Sequence, residues 1–339
     1  MGASFTRRGI TTLGAASAIS AALPLRYARA AEFSFKWGTN VPEAHPLNVY
    51  GRKAAEALKE ATNGRVELRI FPNNQLGGDA DMLSQLRSGA LECFSLSGVN
   101  VLSTMLPASG ISGVGFAFKD YPMVWNAMDG KLGAWLRGQI GKVGLVAMDK
   151  VWDNGFRQIT TSNRPITKPE DLQGLKIRVP VSPLWISLFQ GLGAAPTGLN
   201  FAEVYTALQT KVVDAEENPP AIIKAAKFYE VQKYCSLTNH MWDGWWFLMN
   251  RRAWAQLPPD LQETFARVVN AAALAERAEV AKQNEELKAE LASMGLTFNN
   301  VDQAPFRAML SKAGFYKTWK AKFGPEAWSL LEESTGPLD

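Results

Sequence analysis

The side chains best placed for chemistry fall in one stretch, Gly174–Pro219, which reads GLKIRVPVSPLWISLFQGLGAAPTGLNFAEVYTALQTKVVDAEENP. Across Leu175–Val179, strand alternation turns Leu175, Ile177 and Val179 to one face and Lys176 and Arg178 to the other. Arg178 is thus left at the end of a packed strand, facing something polar. Asn218 precedes two prolines, which hold it extended, so its amide projects from the end of a second strand. Phe201 opens the helix between those strands and adds an aromatic face. A cation, an amide that both donates and accepts, and a ring together suit a carboxylate, which an arginine fork meets with two parallel hydrogen bonds.

The elements that position these residues follow from the same stretch. Ser182 and Pro183 cap and open a helix over Val181–Leu188, which Gly191 or Gly193 closes. Thr197–Leu199 reads as extended, Asn200–Glu203 as an Asn-initiated capping box, Phe201–Thr210 as a helix and Val212–Glu216 as the next strand. Upstream, Phe33–Trp37, Arg65–Phe71 and Leu91–Leu96 are predicted strands, separated by helices over Pro46–Thr62 and from Asp79 to Gly89. This βαβαβ order argues for a parallel sheet, and open α/β sheets place ligands at the carboxyl ends of their strands. Asn40 ends the first of these strands.

The motifs GLKIRVP, FAEVYTALQ and VDAEENP, with NGFRQITTSNRPI upstream and FYEVQKY, TNH and LPPDLQ downstream, resemble those of the extracytoplasmic solute receptors of TRAP transporters. The resemblance spans nearly the whole chain after residue 30; Ala215 and Lys211 stand where that family commonly has glycine. It implies an α/β fold of two domains forming a periplasmic-binding-protein clamshell. Each domain is then a mixed, mainly parallel sheet flanked by helices, and one long helix spans both. Leu257–Ser293 fits that helix, unless an unmarked break divides it. The implied domains are 31–154 plus roughly 244–281, and 155–243 plus roughly 282–339.

By the same resemblance, Arg157 is a second ligand-facing arginine beside Arg178. Asn40 faces the ligand, as do Ser97 and Asn100, and less strongly Ser95, in the loop after the third strand. That loop, SLSGVN, lacks the glutamate and arginine of the sialic acid receptors, so sialic acid is not the expected ligand. His240, Asp243 and Trp245 lie where the chain recrosses between domains, either touching ligand or packing the hinge. Trp152, Trp185, Trp242, Trp245 and Trp246 cluster near the site in sequence; as core tryptophans they would look the same, but Trp152, Trp185 and Trp245 are candidates for its wall. An aromatic wall favours an aromatic, branched-chain or 2-oxo/2-hydroxy monocarboxylate over a sugar acid or C4-dicarboxylate.

Met1–Ala30 reads as an export signal, with Arg7 and Arg8, an apolar run over Ile10–Leu25 and Ala28-Arg29-Ala30 as cleavage motif; the arginine pair suggests the twin-arginine route. Its four arginines account for the formal charge of +4, so the chain after residue 30 is neutral and gives no reason to expect nucleic acid as a partner. No GxGxxG, GxxxxGK[ST] or GxSxG occurs, and the two histidines and two cysteines have no metal-ligand spacing, so no cofactor, metal or catalytic residue is expected. Cys93 and Cys235 are expected as buried free thiols. The sequence thus anticipates a monomeric periplasmic receptor that hands an organic acid to a membrane permease. A binding protein of another uptake class, an adaptor reporting to a membrane kinase and a periplasmic enzyme are the competing readings.

Overall fold

A computed structural model describes residues 1–2 and 30–338. The expected export segment, including Arg7 and Arg8, falls outside the described residues except at its ends; the fold is that of residues 31–338.

Two sheets of six strands organise the chain. In the first, β1 (Phe33–Gly38) lies between β2 (Val66–Phe71) and β3 (Cys93–Ser97), all parallel, as the βαβαβ order requires. The edge is extended by β4 (Leu145–Ala147) and β5 (Trp152–Phe156), which both pair with the late strand β11 (Trp242–Asn250); β11 runs antiparallel to β3. Every residue of β11 is buried, because both faces of the sheet are covered. Its alternation sends Trp246 and Leu248 into one apolar cluster and Trp245, Phe247 and Met249 into the other. The second sheet comprises β6 (Gln158–Thr161), β7 (Lys176–Val179), β8 (Ala195–Gly198), β9 (Ala215–Asn218), β10 (Tyr234–Leu237) and β12 (Thr297–Asn300), in the order β12-β10-β6-β9-β7-β8. Its β7, β8 and β9 are parallel, while β6 is antiparallel to β9 and β10.

The chain crosses between lobes from β5 to β6, from β10 to β11, and along the helix Pro259–Ser293. That helix is unbroken over 35 residues, so the two-helix alternative does not hold. At 1.5 Å per residue it is about 50 Å long, enough to reach across both lobes. Side chains along it grip each lobe in turn. Asn270 and Glu276 accept the backbone N–H groups of Lys150 and Asp153, whereas Asn284 accepts that of Ala221 and Glu290 pairs with Lys224. Gly155, in the first crossing, has φ +111°, and a Cβ there would lie 2.5 Å from Asn284 Nδ2. Only glycine fits that approach.

The last helix, Pro325–Thr335, returns from the second lobe to pack on the helices Tyr121–Met128 and Lys131–Lys142 of the first. Cys93 and Cys235 are buried free thiols in different sheets. Lys211, at a position where glycine is common in the family, adopts φ +61°, the left-handed region that glycine enters without strain.

Candidate functional site

Arg178 is carried by β7, whose Ile177 and Val179 point into the core. Its guanidinium is 1 % exposed and lies 6.0 Å from the centre of the Phe201 ring. Nε and Nη2 both donate to the Leu199 carbonyl, at 3.1 and 2.6 Å, which fixes the plane of the fork and leaves Nη1 without a protein acceptor. Among the described residues no carboxylate forms an ion pair with it. Burial lowers its pKa to about 10, although Glu217 opposes the fall and Arg157 adds to it. Arg178 is therefore a charged group at neutral pH, taken out of water without a counter-ion.

Arg157, between β5 and β6, is also buried but is surrounded by acceptors. Nε donates to Glu217 Oε2 at 2.5 Å; Nη2 reaches the Glu217 carbonyl, Glu217 Oε1 and Asn218 Oδ1 at 2.5, 2.9 and 2.9 Å; Nη1 reaches Asp243 Oδ2 at 3.3 Å. Burial works against its charge, but Glu217 and Asp243 more than offset this and hold its pKa above the usual value. Glu217 is held below the ordinary carboxylate range, since Arg157 and His240 outweigh its burial. His240 is kept neutral by burial; Nε2–H then donates to Glu217 Oε2 at 3.0 Å and Nδ1 accepts from Thr238. Asn218 is spanned by this network, its Nδ2 donating to Glu216 Oε2 at 2.5 Å and its Oδ1 accepting from Arg157. Arg157 and Asn218 are thus largely engaged by the protein itself, with one hydrogen of Arg157 Nη1 left over, and Arg178 is the cation with a whole amino group to spare.

These groups surround a cavity of about 30 Å³ between the lobes, a little more than a water molecule needs. The second lobe supplies Arg157, Arg178, Trp185, Phe201 and Asn218; the first supplies Asn40, Ser97, Asn100, Asp243 and Trp245. The sequence anticipated all ten. Asp243 accepts from Ser97 Oγ at 2.6 Å, Asn154 Nδ2 at 3.2 Å and Arg157, and Asn100 donates to Asp79 at 3.1 Å. Burial raises the pKa of Asp243 and of Asp79, despite these donors. Trp185 lies 4.9 Å from the Arg157 guanidinium, and Trp245 meets His45 edge-on at 5.2 Å.

Two expected wall residues lie elsewhere. Trp152 is fully buried against Trp37, 5.7 Å away, because its position on β5 turns it into the apolar cluster behind the sheet. His240 sits behind Glu217, against Phe189 at 5.3 Å, and supports the site without lining it. Ser95 likewise faces the core, accepting from Trp37 Nε1 at 2.9 Å. Conversely Val41, Asn154, Pro180 and Ile222 line the cavity but were not singled out. Val41 adjoins Asn40, Pro180 follows Arg178 by two positions and Asn154 heads the quoted NGFRQITT segment, whereas Ile222 lies four positions beyond Asn218; strand direction at the positive-φ Gly155 is what the sequence does not reveal. Phe156 and Gln158, either side of Arg157, line a larger cavity of about 330 Å³ beside Lys119 and Lys288. It is less telling, since Lys288 is paired with Glu285 and the lysines there are not deeply buried.

The lobes are closed on one another: Arg157 reaches Asp243, Ser103 Oγ lies 3.4 Å from Ser182 Oγ, and Gly78 abuts Asn200. Two lobes joined by hinge crossings and shut over a buried guanidinium without an ion-pair partner define a binding protein that traps an anion. The chain belongs to the bacterial extracellular solute-binding protein family 7, whose profile matches residues 37–318. It is thus a TRAP-type solute receptor and not an enzyme. It is 33 % identical over 254 residues to the 2,3-diketo-L-gulonate-binding periplasmic protein YiaO of Escherichia coli, covering 75 % of this chain and 77 % of that protein. An uncharacterized Sinorhizobium fredii protein, y4mM, is 37 % identical over 298 residues, 87 % of this chain, which spans only 54 % of that longer protein. A TRAP periplasmic solute-binding protein of Sulfurospirillum deleyianum, solved with bound succinate, superposes with a TM-score of 0.84 at 30 % identity, covering 91 % of this chain and 100 % of that one.

Proposed function

We propose that this receptor captures a compact organic monocarboxylate in the periplasm and delivers it, as a monomer, to a TRAP membrane permease. One observation carries the reading: Arg178, buried at the cavity with no ion-pair partner and with Nη1 unused. A buried charge is costly until an opposite charge joins it. A guanidinium has five N–H donors; the contacts made by Arg157 leave one hydrogen on its Nη1, so a ligand carboxylate can bridge the two arginines. Phe201, Trp185 and Trp245 enclose the remainder of the ligand.

The diketogulonate receptor and the succinate-bound structure support a carboxylate as the shared feature, with the rest of the ligand varying among relatives. The Val41, Ile222 and tryptophan walls favour a branched-chain or 2-substituted monocarboxylate over a sugar acid or a dicarboxylate. The lobes are taken as 31–154 with roughly 244–281, and 155–243 with roughly 282–339, except that β5 and β11 carry the boundary residues 155–156 and 242–243 in the first sheet and the final helix rests on the first lobe. Ligand admitted to an open form selects the closed one by its greater affinity for it, and closure excludes water from the charged hydrogen bonds.

A thermal-shift panel on the chain from residue 31 tests this, with aromatic, branched-chain, C4-dicarboxylic, 2-oxo, 2-hydroxy and sugar acids. A ligand at a hundredfold excess over its dissociation constant adds about 2.7 kcal/mol of stability. Selective stabilisation by one acid class supports the reading, and stabilisation only by uncharged solutes would remove it.

A further inference from the structure

Two buried amide oxygens at the cavity have no hydrogen-bond partner: Asn154 Oδ1 and Asn40 Oδ1. Both side chains are more than nine-tenths buried, at 3 % and 7 % exposure. Their orientation is set by the acids behind them. Asn154 Nδ2 donates to Asp243 Oδ2, so turning the amide over would set oxygen against a carboxylate oxygen. Asn40 lies beside Asp79, and a carboxylate neighbour favours the NH₂ end of the amide turned toward it. In each case the acceptor end is left over.

Asp243 Oδ2 is shared by Asn154 and by Arg157 Nη1, which places the free Asn154 oxygen close to the bridging position for a ligand carboxylate. Asp79, beside Asn40, is near enough to Arg178 for the arginine to lower its pKa. The two acceptors therefore belong to residues that line the same cavity as both arginines. A buried acceptor left unsatisfied costs free energy, and a bound O–H relieves that cost.

We infer that the receptor selects 2- or 3-hydroxy acids over the corresponding 2-oxo and unsubstituted acids, because Asn154 and Asn40 present buried acceptors that only a donor on the ligand can satisfy. This rests on the carboxylate reading above. An oxo group cannot donate, and it meets these oxygens with its own lone pairs. An ammonium can donate, but its charge would be set beside two guanidinium groups, while Asp243 already accepts from Ser97, Asn154 and Arg157. A hydroxyl is the neutral donor that fits.

Calorimetric affinities for matched acids test this: lactate, pyruvate, propionate and alanine; 2-hydroxyisovalerate, 2-oxoisovalerate, isovalerate and valine; and gluconate with 2-oxogluconate. The hydroxy acid of at least one series should bind about tenfold or more tighter than its counterparts, the scale expected of one buried acceptor left unpaired. Asn154→Ala should reduce that ratio toward one while folding, followed by circular dichroism, is retained; Asn40→Ala provides the same readout if the first variant does not fold. A purely structural role would weaken all members alike and leave the ratio unchanged. Equal or tighter binding of the oxo, unsubstituted or amino acid, or an unchanged ratio in the folded variants, overturns the hydroxyl assignment but leaves the carboxylate reading standing. Failure of every acid to bind overturns both.

Discussion

Replacing Arg178 by methionine should separate binding from stability in a way that an ordinary core residue would not. Burial lowers the Arg178 pKa from its ordinary value to about 10. For a base, a depressed folded pKa means the folded state disfavours the charged form. The penalty is in force at every pH below about 10, and it is relieved only as pH rises from there toward the unfolded value. At 1.36 kcal/mol per unit, this amounts to about 3 kcal/mol at neutral pH. Methionine removes the penalty but also the two donors to the Leu199 carbonyl, whose loss costs about 1 to 3 kcal/mol. The ligand-free variant should therefore be within about 2 kcal/mol of the parent, which urea unfolding measures directly. Binding, in contrast, should weaken by about 2 to 5 kcal/mol, the cost of removing one partner of a desolvated charge pair. Calorimetry with the acid found by the thermal-shift panel reads that loss as about thirtyfold to several-thousandfold. Arg178→Lys should also bind poorly, because a point charge does not replace the fork. Affinity within tenfold of the parent in a folded Arg178→Met protein would refute the reasoning.

Other perturbations have equally definite outcomes. Glu216 is raised to about 7 by burial, with Glu217 adding to the rise and Thr160, Asn218 and Arg157 opposing it. An acid whose folded pKa is raised loses stability as pH climbs from about 4.5 through 7, so Glu216→Gln should flatten that fall and gain on the order of 2 to 3 kcal/mol over the parent at pH 8, measured by denaturant unfolding across pH. Breaking the buried pair one-sidedly, Glu217→Ala should cost about 3 to 5 kcal/mol, because it strands Arg157; a loss below 1 kcal/mol in urea unfolding would contradict the network. Gly155→Ala should lower stability by about 1 to 3 kcal/mol and alter the association rate in stopped-flow tryptophan fluorescence, since the new Cβ collides with Asn284 in the hinge. Export of the full chain should be impaired by changing Arg7 and Arg8 to lysine; unimpaired export would point to the general secretory route instead.

Much of the site could be read from the chain because its residues stand at strand ends, where local pattern and geometry coincide. Arg178, opposite Ile177 and Val179, and Asn218, fixed by Pro219, are of this kind. So is the parallel arrangement of β1, β2 and β3, which the order of strands and helices dictates. Features set by distant pairing were not legible. That β11 inserts between β3 and β4 depends on contacts some 150 residues away in sequence, and it is this insertion that decides which tryptophans face the cavity. Trp152 and Trp245 are register partners, yet only Trp245 reaches the wall. The acids Glu216 and Glu217 look like a solvated pair in VDAEENP, but they lie on a fully buried strand, where Arg157, His240, Thr160 and Asn218 make their burial tolerable. Nothing in a one-dimensional pattern distinguishes a satisfied buried carboxylate from an exposed one.

The most direct test of the account is a crystal structure of the chain from residue 31 with the acid that stabilises it most. The carboxylate should lie between the lobes, accepting from Arg178 Nη1 and from the spare hydrogen of Arg157 Nη1, with Phe201 and Trp185 against the rest of the ligand. A ligand found with its carboxylate away from Arg178, for example beside Lys119 and Lys288 in the larger cavity, would contradict it.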